Sequence, residues 1–226
     1  MSRATFSFVI PVLNEEACIA DLLCALQTQY PHCEFIVVDG GSVDNTVAIA
    51  RPLCHSLLTC EPSRAQQMNH GAAVASGRYV CFLHADSRPT VSDQALAEVL
   101  SASPSWGFCR SRLDSRKRAF RVIETAMNIR SRVTSVATGD QMLFVHRDLL
   151  EQTGGFANIP LMEDVEFCKR LRNYGSPIII DNPVVSSSRR WETRGVARTV
   201  LDMWALRLAY VCGVSPQRLW QRYYGR

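Results

Sequence analysis

An α/β fold with a largely parallel sheet is predicted for this chain of 226 residues by three observations. Short apolar runs alternate with segments of helical periodicity over residues 5–86, the pattern of βαβ units. Three polar motifs, P-V-L-N-E-E, D-G-G-S and H-A-D, each follow one of those runs directly, where open α/β sheets place their ligands. Hydrophobic residues make up 47% of the chain, enough for a sizeable core and too many for disorder.

The elements follow in order. Thr5–Val12 reads as a strand, and Asn14 is an expected N-cap with Glu15 and Glu16 in the first helical turn, ahead of Ile19, Leu22, Leu23 and Leu26. Glu34–Val38 is a second strand, and Asp44 is expected to cap a helix that stops before Pro52. Leu57–Cys60 is a weak third strand. Ala65, Met68, Ala72 and Ala75 mark a helix with Gly77 as its C′ residue. Tyr79–Leu83 is a buried strand, ended by His84-Ala85-Asp86 and a break at Ser87-Arg88-Pro89. Beyond it we expect a helix after Ser92, a strand at Trp106–Leu113 and a basic helix at Arg116–Arg132. Then come a strand at Asp140–His146, a turn at Gly154-Gly155-Phe156 and a helix opened by Met162-Glu163-Asp164. Short strands at Ile178–Asp181 and Val184–Ser188 and a final helix at Gly195–Gly213 complete the chain.

Charge and cysteine usage bound the function. Residues 110–132 and 189–226 each hold eight basic and two acidic side chains, which leaves the remainder net acidic although the whole chain is +4. Such basic surfaces suit anionic partners. The nine cysteines are odd in number and form no C-x-x-C pair, so reduced core cysteines in a cytosolic protein are expected rather than disulfides or zinc. No signal peptide is expected, and the best apolar run, Val196–Val214, is interrupted by Arg198, Asp202 and Arg207.

Each candidate site residue has two readings. Asp86 sits at a strand end as a metal or catalytic carboxylate, or as a turn cap. Asp39, ahead of Gly40-Gly41, could accept hydrogen bonds from a nucleoside or close a tight turn. Glu15 could touch base or ribose, or serve the helix dipole. Arg64 could approach a diphosphate or be a surface cation, and Glu163-Asp164 could supply a general base or cap a helix. The absence of G-x-G-x-x-G leaves a dinucleotide site unsupported.

Taken together, these motifs resemble the glycosyltransferase family 2 proteins of GT-A fold. Pro11–Glu16 is similar to the family's P-x-x-N-E, Val37–Thr46 to V-V-D-D-G-S-x-D-x-T, and Phe82–Asp86 to F-L-D-A-D. Gly154–Phe156, Glu163-Asp164, Arg170-Leu171 and Gly175 are similar to its acceptor-side G-G-F…E-D…R-L…G pattern. A narrower likeness rests on Arg64–Gly71, Gly139–Gln141, Pro160–Asp164 and Ser188–Glu192. These resemble a small bacterial branch labelled arsenosugar-biosynthesis-like or selenodomain-associated glycosyltransferases.

The resemblance implies a Rossmann-like three-layer α/β/α GT-A domain over residues 1–190, with a nucleotide-sugar half (1–90) and an acceptor half (91–190), followed by a helical extension (191–226) packed on it. It implies inverting, hexosyltransferase-like transfer of a sugar from a nucleotide-diphosphate donor to an acceptor hydroxyl. Pro11, Glu15, Asp39, Arg64 and His84 would bind the donor. Asp86 would hold Mg²⁺ or Mn²⁺, and Asp164, with Glu163 beside it, would act as the base. The expected partners are that donor and an acceptor of lipid-linked or anionic kind, with no nucleic acid. Peripheral contact at the inner membrane face and a homodimer are left open. The competing readings are a non-catalytic nucleotide-sugar-binding relative and a nucleotidyltransferase, although the latter's Gly-rich loop and Lys are replaced here by P-V-L-N-E-E. Two departures stand out: His84 for the first Asp of D-A-D, and Gly40 for the second Asp of D-D-G-S. Arg189-Arg190-Trp191 is distantly similar to the Q-x-x-R-W motif of processive members, without its Gln.

Overall fold

The computed structural model describes residues 6–225, without the side chains of residues 190, 194, 196 and 197. Thr5, expected to open the first strand, therefore lies outside the described residues, as does the Arg190 side chain. Strands β1 (Phe6–Val12), β2 (Glu34–Asp39), β3 (Ser56–Thr59) and β4 (Tyr79–Phe82) pair in parallel in the order β3-β2-β1-β4. They are joined by α1 (Ile19–Gln29), α2 (Thr46–Ala50) and α3 (Arg64–Val74).

Side chains alternate across β1 as a pleated strand requires. Phe8 and Ile10 pack with Ile19, Leu22, Leu23 and Leu26 of α1 on one face. Val9 packs with Ala65 and Met68 of α3 on the other. Helix α4 (Asp93–Ser101) joins the α1 face through Leu96 and Leu100. Helices α6 (Arg147–Thr153), α7 (Glu163–Leu171), α9 (Val196–Val211) and α10 (Pro216–Tyr224) join the α3 face through Leu149, Phe167, Leu206 and Leu219. The result is three layers with the sheet in the middle.

The second half extends the same sheet. Strands β5 (Ser87–Pro89), β6 (Trp106–Leu113), β7 (Leu143–His146) and β8 (Ile178–Ser186) complete the order β3-β2-β1-β4-β7-β6-β8-β5. Here β7 runs antiparallel to both neighbours and β5 antiparallel to β8, so the parallel block is confined to β1–β4 and to the β6–β8 pair. Helix α5 (Arg118–Thr134) and the short α8 (Arg189–Arg194) meet in a separate cluster of Leu113, Phe120 and Trp191.

Several expectations change. Asn14 does not cap α1, which starts only at Ile19; it lies at φ +55°. Its side-chain oxygen accepts from Val43 N at 2.9 Å, and its own N–H donates to Ser42 Oγ at 2.9 Å. Glu15 N donates to Thr46 Oγ1, and the Glu16 carboxylate accepts from Asn45. Pairing with the second βα loop thus wins over local capping. Gly77 is not a C′ residue: a Cβ there would lie 2.6 Å from the backbone of Phe6 and Ser7, so close strand approach is what requires glycine. Ser87–Pro89 is a strand rather than a break, because it pairs with Val184–Ser186 at the sheet edge. Asp140 belongs to a 3₁₀ turn, and β8 is one strand whose register shifts between Cys109 and Arg110 of its partner. Helices α6, α8 and α10 were not expected. All nine cysteines are free thiols, and burial pushes Cys33 and Cys109 up to about 12, outside the reactive range.

One tie spans the two halves. The Arg147 guanidinium donates to the carbonyls of Ala75 and Gly77, with Nε to Gly77 at 2.9 Å, closing the end of α3 against β7. Arg147→Ala is expected to cost about 2–3 kcal/mol, because part-buried carbonyls lose charged donors. Urea unfolding checks this, and a shift under about 0.5 kcal/mol would show that water replaces the guanidinium.

Candidate active site

The carboxyl end of β1, the start of α3, the start of α7 and α10 line a cleft of about 850 Å³. One wall is Pro11, Leu13 and Glu15 from the end of β1. Arg64 and Gln67 of α3 form its floor, and Pro160, Leu161 and Glu163 lead into α7. The opposite rim carries Gln217, Trp220 and Tyr224 of α10, which sequence reasoning missed. The only signal there was aromatic residues repeating at helical spacing near the C-terminus.

Adjoining the cleft is a much smaller chamber of about 20 Å³, lined by Arg64, Met68, Phe82, His84, Thr138, Gly139, Phe156, Glu163 and Asp164. That is room for about one water. Arg64 and Glu163 border both spaces, so the two carboxylates and His84 face one another beneath the cleft.

Local packing sets each of these side chains. Asn69 of α3 accepts from Phe156 N and donates to Phe156 O, both at 2.8 Å, and so pins the Gly154-Gly155-Phe156 turn. Arg170 of α7 donates to the carbonyls of Thr153 and Gly155, and pairs with Glu166 at 2.7 Å. Phe156 meets Phe82 at 4.8 Å and Phe167 at 4.4 Å between ring centroids. These contacts hold the middle and C-terminal part of α7 against the Gly154–Phe156 turn, and at its N-terminus, where Glu163 and Asp164 sit, the helix dipole favours a negative charge. Burial, and then the neighbouring Glu163 charge, nevertheless raise Asp164 to about 7. Burial raises Glu163 also, against the pull of Arg64.

His84 is half-buried, and its pKa is held well below the usual value by burial and then by Arg64, so the imidazole is neutral. A Cβ on Gly139 would overlap its ring. Gly40 has a matching explanation. Gln67 donates to the carbonyls of Val12 and Val38, both at 2.8 Å, and a Cβ at position 40 would lie 3.1 Å from its amide. Both departures from the family pattern are therefore packed against residues of the narrower motifs, Gly139 and Gln67.

Asp39 lies apart from the cleft lining. Only 2% exposed, its carboxylate accepts from Gly41 N at 2.9 Å, from Ser42 N at 3.0 Å and from Ser42 Oγ. It shapes the loop that the Asn14 segment docks on. Asp86 is exposed just beyond β4, and among the described residues its carboxylate accepts a single hydrogen bond, from Ser87 Oγ at 3.2 Å, so most of its acceptor capacity is open. Its field reaches Cys18, which itself donates to Glu15 at 3.2 Å. Among the described residues no cluster of three His, Cys, Asp or Glu side chains is placed to enclose a metal. The donor set fits an ion that takes most of its oxygen ligands from substrate phosphates, as Mg²⁺ and Mn²⁺ do.

Comparison with known proteins agrees with this architecture. The chain is 28% identical to the glycosyltransferase AglE of Haloferax volcanii over 204 residues, 79% of this chain and 65% of that one. It is 30% identical over 165 residues to an uncharacterized glycosyltransferase of Mycobacterium tuberculosis, covering 65% of this chain and 60% of the relative. Among solved structures, a mannosyltransferase from Pyrobaculum calidifontis in complex with GDP-Man and Mn²⁺ superposes with a TM-score of 0.61 at 24% identity. It covers 83% of this chain and 57% of that one. S. aureus TarS in complex with UDP gives 0.67 at 18% identity, covering 80% and 60%. The chain thus spans about three-fifths of these relatives, and the structural likeness establishes a GT-A fold. Residues 7–132, more than half of the chain, match the family described as Glycosyl transferase family 2. With its parallel β1–β4 block and strand-end motifs in the family's order, the chain belongs to glycosyl transferase family 2.

Proposed function

We propose that this protein is an inverting, metal-dependent glycosyltransferase that takes a hexose from a nucleotide-diphosphate donor. The observation that carries this reading is Asp164. It is a carboxylate raised to about 7 in the small chamber that adjoins the large cleft, beside a second carboxylate and a cation that each border both spaces. A general base works best with a pKa near the operating pH.

In this reading the nucleoside lies along Pro11 and Glu15, with Asp39 ordering the loop behind them. Arg64 faces the diphosphate. The acceptor hydroxyl donates its proton to Asp164 as its oxygen bonds to the anomeric carbon, and the bond from that carbon to the diphosphate breaks on the opposite face. The nucleoside diphosphate leaves with the electron pair, and the configuration inverts. Asp86 would hold the divalent ion, which would neutralise charge on the departing diphosphate. Burial, and then like-charge repulsion from Glu163, keep Asp164 basic. His84, neutral, offers ribose or ion a hydrogen-bonding or ligating nitrogen rather than a second negative charge. The narrower sequence likeness supports this arrangement, since Arg64, Gly139, Glu163 and Asp164 all come from its motifs and all border the His84 chamber.

A thermal-shift screen of UDP, GDP and their sugars, with and without Mn²⁺, tests the donor reading. A ligand at 100 times its Kd stabilises by about 2.7 kcal/mol. We expect one base to shift Tm, with a larger shift in Mn²⁺ that Asp86→Ala removes. No shift with any nucleotide in either condition would overturn the reading.

A further inference from the structure

The outer face of α9 carries Leu201, Trp204, Leu208 and Val211, which are 69%, 70%, 66% and 72% exposed. Spacings of three, four and three residues put them in one row along the helix. A second row lies on α5, where Val122, Ile129 and Val133 are 71%, 58% and 79% exposed at spacings of seven and four. The inner faces of both helices are already satisfied. Val200 and Met203 of α9, and Ile123 and Met127 of α5, pack on the same Phe120–Trp191 cluster. The outer rows therefore belong to two helices that flank one core, and among the described residues nothing covers either. Exposed apolar rows of this size on a folded domain mark contact surfaces.

The charge on these segments selects the occupant. Residues 110–132 and 189–226 each carry eight basic and two acidic side chains. On α5, Arg118 and Arg132 are exposed, whereas the one acid, Glu124, is buried against Arg121 at 2.8 Å. A second copy of the chain docked on these faces would bring like charges together. A nucleic acid would use the arginines but leave seven large apolar side chains in water. A membrane surface rich in anionic lipid satisfies both, since the apolar rows enter the acyl boundary while the arginines meet headgroup phosphates. No helix among the described residues is long and apolar enough to cross a bilayer, so such contact would lie along the surface. We propose that the outer faces of α9 and α5 form a docking surface for anionic membranes, independent of which sugar the cleft binds.

Co-sedimentation with vesicles of phosphatidylcholine alone and of phosphatidylcholine with phosphatidylglycerol tests this on the full chain. Binding is expected only to the anionic vesicles, with at least tenfold weakening in high salt. The exposed-face variant Trp204→Ser/Leu208→Ser is expected to keep its Tm and any donor thermal shift while losing at least tenfold in vesicle partition. Arg118→Glu/Arg132→Glu is expected to do the same. Absence of binding to anionic vesicles, or binding that neither variant weakens, would overturn the proposal. So would a dimer in sedimentation velocity that Trp204→Ser/Leu208→Ser dissociates, since that would assign the face to self-association. Salt-sensitive binding to DNA or RNA that competes with vesicles and ignores the Trp204→Ser/Leu208→Ser change would overturn it as well.

Discussion

Asp164→Asn is expected to lower turnover about 10²–10⁴-fold, the usual contribution of a positioned base, while leaving the donor thermal shift intact. It is also expected to make the protein more stable. In the wild type, burial and the Glu163 charge hold the Asp164 pKa near 7, against an ordinary value of 3.8. Between those values the folded state holds a proton that the unfolded chain has released. Wild-type stability therefore falls as pH rises from about 4 to about 7 and is flat above that. Asparagine carries no charge to bury and can still accept the 2.7 Å hydrogen bond from Val165 N. The variant should gain about 1–3 kcal/mol at pH 8 and nothing at pH 4. Denaturant titrations at the two pH values, with a single-turnover assay, separate the claims. Full turnover by Asp164→Asn would remove the base assignment, and equal stability at pH 8 would remove the buried-charge account. The same titration predicts that kcat/KM rises to a plateau above about pH 7 as the pair loses its proton.

Gly139→Ala is the second large effect. The added Cβ would overlap the His84 ring, and the turn that carries it has little freedom to retreat. Gln141 accepts from Ser131 Oγ at 2.9 Å and from Thr138 N at 3.0 Å, and donates to Cys109 O at 3.3 Å. Asp140 accepts from Ser111 Oγ at 2.7 Å. The strain therefore falls on His84, whose ring is displaced within the chamber that it shares with Arg64 and Asp164. Displacement of about 1 Å in a site costs on the order of 10²-fold in rate, and overpacking costs about 1–3 kcal/mol. We expect losses of that size in kcat/KM and in urea stability. Gly139→Ala/His84→Ala should regain the stability but not the rate. A Gly139→Ala protein with wild-type Tm and donor affinity would show that the ring has room, and that His84 is not held by this turn.

The parallel half of the fold was legible because its signals are local. The runs at β1, β2 and β4 are buried on both faces, so they read as continuous apolar stretches, and α1, α3 and α7 carry clear 3.6-residue periodicity. The elements that escaped depend on distant partners. Ser87–Pro89 becomes a strand only because Val184–Ser186 lies beside it. Asn14 loses its capping role to Ser42 and Val43, which lie 28 and 29 residues away.

The site divides in the same way. The ordered motifs around Asp39 and Asp86 at the strand ends, with G-G-F and Glu163-Asp164 downstream, carried the family resemblance, and residues 7–132 match that family. Their individual environments were not written in the motifs. Packing decided that Asp39 turns inward onto its own loop, that Asp86 stays open to water, and that Asp164 shares a small enclosed chamber with His84. It also brought α10 to the cleft rim. Burial and the field of neighbours are sums over residues remote in the chain, so the chemistry of a carboxylate follows from its surroundings, while its presence follows from its codon.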